Sequence, residues 1–152
     1  MKIYVMDAFA AKLFGGNQAG VALPEGDVSD ETMRLIAAEM KHSETAFVRP
    51  QEDGSVDLRY FTPAGEVELC GHATIGSFHA LQEMGLVAEG GTYIDETLSG
   101  TLEVVVGKDA ILMDMAKPQT FQRLETPEEL EENPRARSAK LRVVEKCDPF
   151  DI

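Results

Sequence analysis

Hydrophobic and polar positions alternate with two periods along this chain, and the change from one period to the other marks its elements. "KIYVMDAFA" is apolar and partly β-branched, which predicts a strand. "GGNQAG", Gly15 to Gly20, breaks the pattern as a loop, and "VALP" resumes a short strand that Pro24 ends. Met33, Ile36, Ala37 and Met40 then recur at helical spacing. Ser29 is placed to cap that helix, with Asp30 and Glu31 near its positive end. "SETAFVRP" and "VDLRYFTP" read as strands joined by the turn "QEDGS". "ATIGSFHALQEM", from Ala73, carries no charge until Glu83; a helix polar on hardly any side is enclosed by other elements. "TYIDETL", "TLEVVV" and "AILMDMA" follow, and turns at "SG" and "GKD" join them into an antiparallel meander.

Strands wrapping one apolar helix predict an α+β lobe over residues 1–118 rather than a doubly wound sheet. After Pro118 the character changes. The segment 119–152 is dense in charge, with one short acidic helix expected near Thr126 to Glu132 and the rest expected to be flexible or to need a partner.

Composition narrows the function. A hydrophobic fraction of 43% and a charged fraction of 27% suit a globule with a real core. The net charge of −13 repels a polyanion, so nucleic acid is not an expected partner. No apolar run reaches the roughly 20 residues a bilayer-spanning helix needs, and the N-terminal stretch, interrupted by Asp7, reads as a strand rather than a leader. Two cysteines, Cys70 and Cys147, form no disulfide framework, which points to a reducing cytoplasm. The histidine and cysteine spacing offers no structural zinc motif.

Candidate chemistry gathers at "VELCGHATIG", Val67 to Gly76, where a strand hands over to the apolar helix. Backbone amides at Gly71, His72 and Ala73 lack intrahelical acceptors, and with the helix dipole they suit a substrate carboxylate. Gly71 lets a ligand approach the backbone without a Cβ in the way. Cys70 at such a terminus is expected to be acidified, and His72 to carry a proton near neutral pH. The alternative is plain: a buried free cysteine is a common core residue, and Gly-His can merely cap a helix. Glu44 in "HSETAFV" shares a strand face with Ala46 and Val48, and a partly desolvated carboxyl there suits a general acid or base; a solvated strand-end glutamate is the competing reading. Asn17 and Gln18 offer amides to substrate polar groups or simply make a turn. Thr62 and Pro63 shape a strand exit, and Glu66 adds a second carboxyl near the thiol.

"DAFAAKLFGGNQAGVALP", "SETAFV" and "LRYFTPAGEVELCGHATIGSFHAL" stand in the order and spacing of the PhzF-like (phenazine biosynthesis-like) family, which the chain resembles over residues 1–84, with the meander to about 118 in agreement. The resemblance implies a diaminopimelate epimerase-like lobe, a mixed or antiparallel β-barrel wrapped around a central apolar helix. It implies Glu44 as the acid/base that moves a proton on a small carboxylic acid, Gly71 and His72 as substrate-binding positions, and Asn17 in the matching loop. It implies no metal and no organic cofactor. Cys70 falls where related epimerases carry a catalytic thiol, so an epimerase or racemase using Cys70 is a second hypothesis. The second lobe of a usual member is absent after residue 118, and Cys147 matches no motif of the family. A homodimer or a partner lobe is therefore expected to complete the site. A truncated, non-catalytic binding module is the third hypothesis.

Overall fold

The structure, a computed structural model, describes residues 1–12 and 15–115. The expected acidic helix near 126–132 and Cys147 lie outside the described residues.

The first strand, β1 (Lys2–Ala8), pairs antiparallel with β2 (Asn17–Leu23). Strand β2 thus begins at Asn17, four residues earlier than its apolar run, because the pairing of Ala8 with Asn17 draws the polar and glycine positions into the ladder. The first helix, α1 (Asp30–Met40), carries the chain to β3 (Thr45–Pro50), which lies parallel to β2. Ser29 caps α1 as its sequence foretold: its hydroxyl accepts from the Thr32 amide at 3.2 Å. Lys41 then ends the helix in the left-handed region. A hairpin leads to β4 (Val56–Thr62) and a short β5 (Gly65–Val67), which pairs with β4 and has no counterpart in the hydrophobic pattern. The apolar helix α2 (Gly71–Glu83) follows, and β6 (Thr92–Thr97), β7 (Gly100–Val106) and β8 (Ile111–Met113) form the expected meander.

The strands make one mixed sheet, β1-β2-β3-β4-β6-β7-β8, curled round α2 as a half-barrel. Its two parallel pairings, β2 with β3 and β4 with β6, are each bridged by a helix. Strand β4 runs opposite to β2, so crossovers of one hand must place their helices on opposite faces. They do. On the outer face α1 lays Met33 and Ala37 over Ala22, Phe47 and Phe61. On the inner face α2 buries Ala73, Phe78, Ala80 and Leu81 against Ala19, Val21, Ala46, Val48, Leu58 and Val104. Odd and even positions of β3 therefore serve two cores, and this leaves its sequence apolar almost throughout.

The half-barrel is open along one side. Among the described residues β1 and β8 each pair with a single neighbour. Between them a cavity of about 380 Å³ exposes Ile75, His79 and Gln82 of α2 to a slot walled by Met6 and Ile111. On the far side of the sheet Arg59 ties three elements together. Its guanidinium meets Glu66 of β5 at 2.6 Å and Asp30 of α1 at 2.8 Å, and lies 5.1 Å from the centre of the Phe61 ring.

Candidate functional site

Three side chains named from the sequence converge at the start of α2. Cys70 is the N-cap residue, in extended conformation, and its carbonyl accepts from the Thr74 amide at 2.9 Å to open the helix. Glu44 immediately precedes β3. Its carbonyl accepts from the Gly20 amide at 3.0 Å, fixing it to β2, and the alternation that turns Ala46 and Val48 toward α2 turns Glu44 the same way. Its Oε2 lies 3.3 Å from Nε2 of His72. That oxygen is cut off from solvent. Nδ1 of His72 is 3.2 Å from Cys70 Sγ, within hydrogen-bond reach of the thiol. Ser43, one residue before Glu44, adds its hydroxyl 3.4 Å from Nε2.

Cys70 departs from expectation. Burial pushes its thiol up to about 11, and the neighbouring Glu44 carboxyl adds to the rise. The backbone amides of Ala73 and His72 pull the other way and are outweighed. A helix start acidifies a thiol only where water or a cation shares the load, and Cys70 is 8% exposed.

At Gly71 the backbone has room beside it. A Cβ there would meet only Met113 Sδ at 3.8 Å and Met115 Sδ at 4.0 Å, so these two methionines at the end of β8 wall the amides of the first turn. Asn17 stands apart from the cluster. It is exposed at the first position of β2, three residues before Gly20, or about 10 Å along an extended strand. Glu66 is not a second carboxyl for the thiol; it is committed to Arg59 on the outer face.

Beneath the site runs a buried polar chain. The Thr74 hydroxyl donates to the Cys70 carbonyl at 3.0 Å, Tyr60 Oη is 2.6 Å from Thr74 Oγ1, and the Tyr60 hydroxyl reaches Asp95 Oδ2 at 3.3 Å. Asp95 is fully buried and its Oδ1 has no partner among the described residues. Burial raises its carboxyl to about 7, and Tyr60 is pushed up for the same reason. Tyr60 continues the inward set of Val56 and Leu58 on β4, whereas Asp95 lies inward on β6 while Ile94 faces out, so the strand pattern does not announce the acid.

The sequence profile of the family described as "Phenazine biosynthesis-like protein" matches residues 6–145. The chain belongs to the phenazine biosynthesis-like family. Among relatives of that family, it is 41% identical over 117 residues to "Uncharacterized isomerase YfhB" of Bacillus subtilis (strain 168), covering 74% of this chain and 40% of the relative. It is 39% identical over 140 residues to the "Phenazine biosynthesis-like domain-containing protein" of Homo sapiens, covering 82% and 47% respectively. A crystal structure of a phenazine biosynthesis protein of the PhzF family from Enterococcus faecalis superposes with a TM-score of 0.62 at 42% identity, over 68% of this chain and 39% of that one. A "Predicted Epimerase" of Pseudomonas aeruginosa, 21% identical with a TM-score of 0.61, shares the fold. The chain thus spans less than half the length of these phenazine biosynthesis-like relatives.

Proposed function

We propose that this chain is one lobe of an isomerase that moves a proton on a small carboxylic acid, with a second lobe or a second copy of the chain closing the site. The observation that carries the reading is the meeting of Glu44 with the first turn of α2, where its Oε2 stands 3.3 Å from His72. The substrate carboxylate is held at the amides about Gly71, beside the positive end of the helix. Glu44 removes the proton from the carbon next to that carboxylate. Charge that develops on the carboxylate oxygens is met by the same amides, and Glu44 returns the proton to the product carbon. His72 orients Glu44 and binds substrate, while Asn17 reaches the substrate's far end. Water must be kept out for such a transfer, so the open side of Glu44 needs a cover, and a symmetric pair of lobes supplies one. A reducing cytoplasm suits the free thiol at the site.

The test is solvent-deuterium incorporation into a panel of small α-substituted carboxylic acids, followed by proton NMR. The native chain is expected to exchange the α-proton of at least one of them. Glu44→Gln is expected to stop that exchange with its circular dichroism unchanged, and an active Glu44→Gln protein refutes the assignment. A clean monomer by light scattering at high concentration would argue instead for the non-catalytic binding module that the half-length match also allows.

A further inference from the structure

The buried chain from Asp95 to the Cys70 carbonyl has three contacts, and each needs a hydrogen. The carbonyl carries none, and the hydroxyls of Tyr60 and Thr74 carry one apiece. Ionised Asp95 leaves one contact empty, whereas protonated Asp95 supplies the third hydrogen. We propose that protonated Asp95 starts a one-way run of hydrogen bonds through Tyr60 and Thr74 that strengthens the Gly71 N–H as a carboxylate donor, so that all three are positioning residues for the anion site. The inference rests on the reading of that amide as the seat of the substrate carboxylate.

The last link is covalent. The Cys70 carbonyl and the Gly71 N–H belong to one peptide unit, so a hydrogen bond accepted at the oxygen draws electron density from the nitrogen and sharpens its donation. Thr74 gives that oxygen its hydroxyl at 3.0 Å, beside the helical amide bond at 2.9 Å. The Gly71 N–H itself opens α2 and has no acceptor inside the helix.

At 2.6 Å the oxygens of Tyr60 and Thr74 must share a hydrogen. Two arrangements allow this once Asp95 is ionised. If Tyr60 keeps donating to Thr74, the carboxylate is buried with no donor on either oxygen, since Oδ1 has no partner among the described residues. If both hydroxyls turn round, Tyr60 serves Asp95 at 3.3 Å, Thr74 serves Tyr60, and the Cys70 carbonyl loses its hydroxyl. The second costs less. Loss of the Asp95 proton to solvent therefore reverses the run and weakens the Gly71 donor. Burial holds that proton in place, and the charged groups near it, Asp57 of β4 and Glu96 of β6, are acids that add to the effect. Its partners across the sheet, Val56 of β4 and Leu102 of β7, do not titrate. Beside Gly71 stand the ionisable groups Glu44, Cys70 and His72.

A single NMR peak reads this run without substrate or turnover. Cysteine precedes glycine only at Cys70–Gly71, so carbonyl-labelled cysteine with nitrogen-labelled glycine gives one carbonyl–amide correlation from the full chain. That peak is expected to shift with a midpoint near pH 7. Glu44, Cys70 and His72 are present in every protein compared, so the transmitted part is the difference between them. Asp95→Asn accepts from Tyr60 at every pH and should lack that part. Thr74→Val keeps the acid but cuts the run, and should lack it too. If Asp95→Asn loses its native circular dichroism, Tyr60→Phe takes its place. A native peak that does not move near pH 7, or a native-sized shift that survives in folded Thr74→Val, overturns the proposal. A chain that shows the transmitted shift yet exchanges no α-proton refutes the proton-transfer reading alone.

Discussion

Replacing the buried acid at the end of the polar chain, Asp95→Asn, changes one atom and removes one titration. Asp95 has no exposed surface, and its carboxyl titrates at about 7 in the fold against 3.8 for an ordinary aspartate. The folded-state value is raised, so the protonated acid favours folding below the unfolded value, and that stability is lost as pH rises through about 7. Fully developed, the loss is about 4 kcal/mol. Half of it lies between about pH 5.5 and 8, where the native chain should lose roughly 2 kcal/mol that the variant keeps. Asparagine still accepts the Tyr60 hydroxyl through its amide oxygen, but its NH₂ faces the empty side of Oδ1, an offset of about 1–3 kcal/mol against the variant at every pH. The diagnostic is therefore the slope and not the absolute stability. Urea unfolding followed by circular dichroism, run on both proteins at four pH values across that window, should show the native curve falling toward the flat curve of the variant as pH rises. Parallel curves would refute the claim that Asp95 titrates near neutrality in the fold.

Two further expectations rest on other parts of the molecule. In a Cys147→Ser background, iodoacetamide should label Cys70 near neutral pH about a hundredfold more slowly than a free thiol, since its thiol sits at about 11; labelling at the free-thiol rate would revive the thiolate epimerase reading. Phe47→Ala should destabilise the chain by about 3–5 kcal/mol in urea titration, because the ring is buried and packs edge-on to Phe61 at 5.6 Å; a loss below about 1 kcal/mol would mean that α1 contributes little to the fold.

Local patterns carried much of this structure. Ser29 announced its helix through a cap, which is a contact between residues three apart. The uncharged run from Ala73 announced enclosure, because a helix with no polar face has to be covered. What stayed hidden depends on pairing between distant segments. Asn17 joins β2 only because Ala8 stands opposite, and β5 exists only because β4 offers it an edge. At the site, Glu44, Cys70 and His72 were visible as residue types and motifs, but the acidity expected of Cys70 was reversed by burial that no local pattern records. Ser43, Met113 and Met115 came from the fold alone, since a serine and two methionines carry no signal of their own.

The gap between β1 and β8 has a colloidal consequence. Each bordering strand offers a row of amides and carbonyls without a partner among the described residues, and beside those rows stand Ile3, Val5 and Leu112, all well exposed. Such a margin is a template on which any extended peptide can register, correct or not. Shelf life in concentrated solution should then be governed by strand-to-strand adhesion, and a lysine at Val5 or Leu112 is the economical way to blunt it.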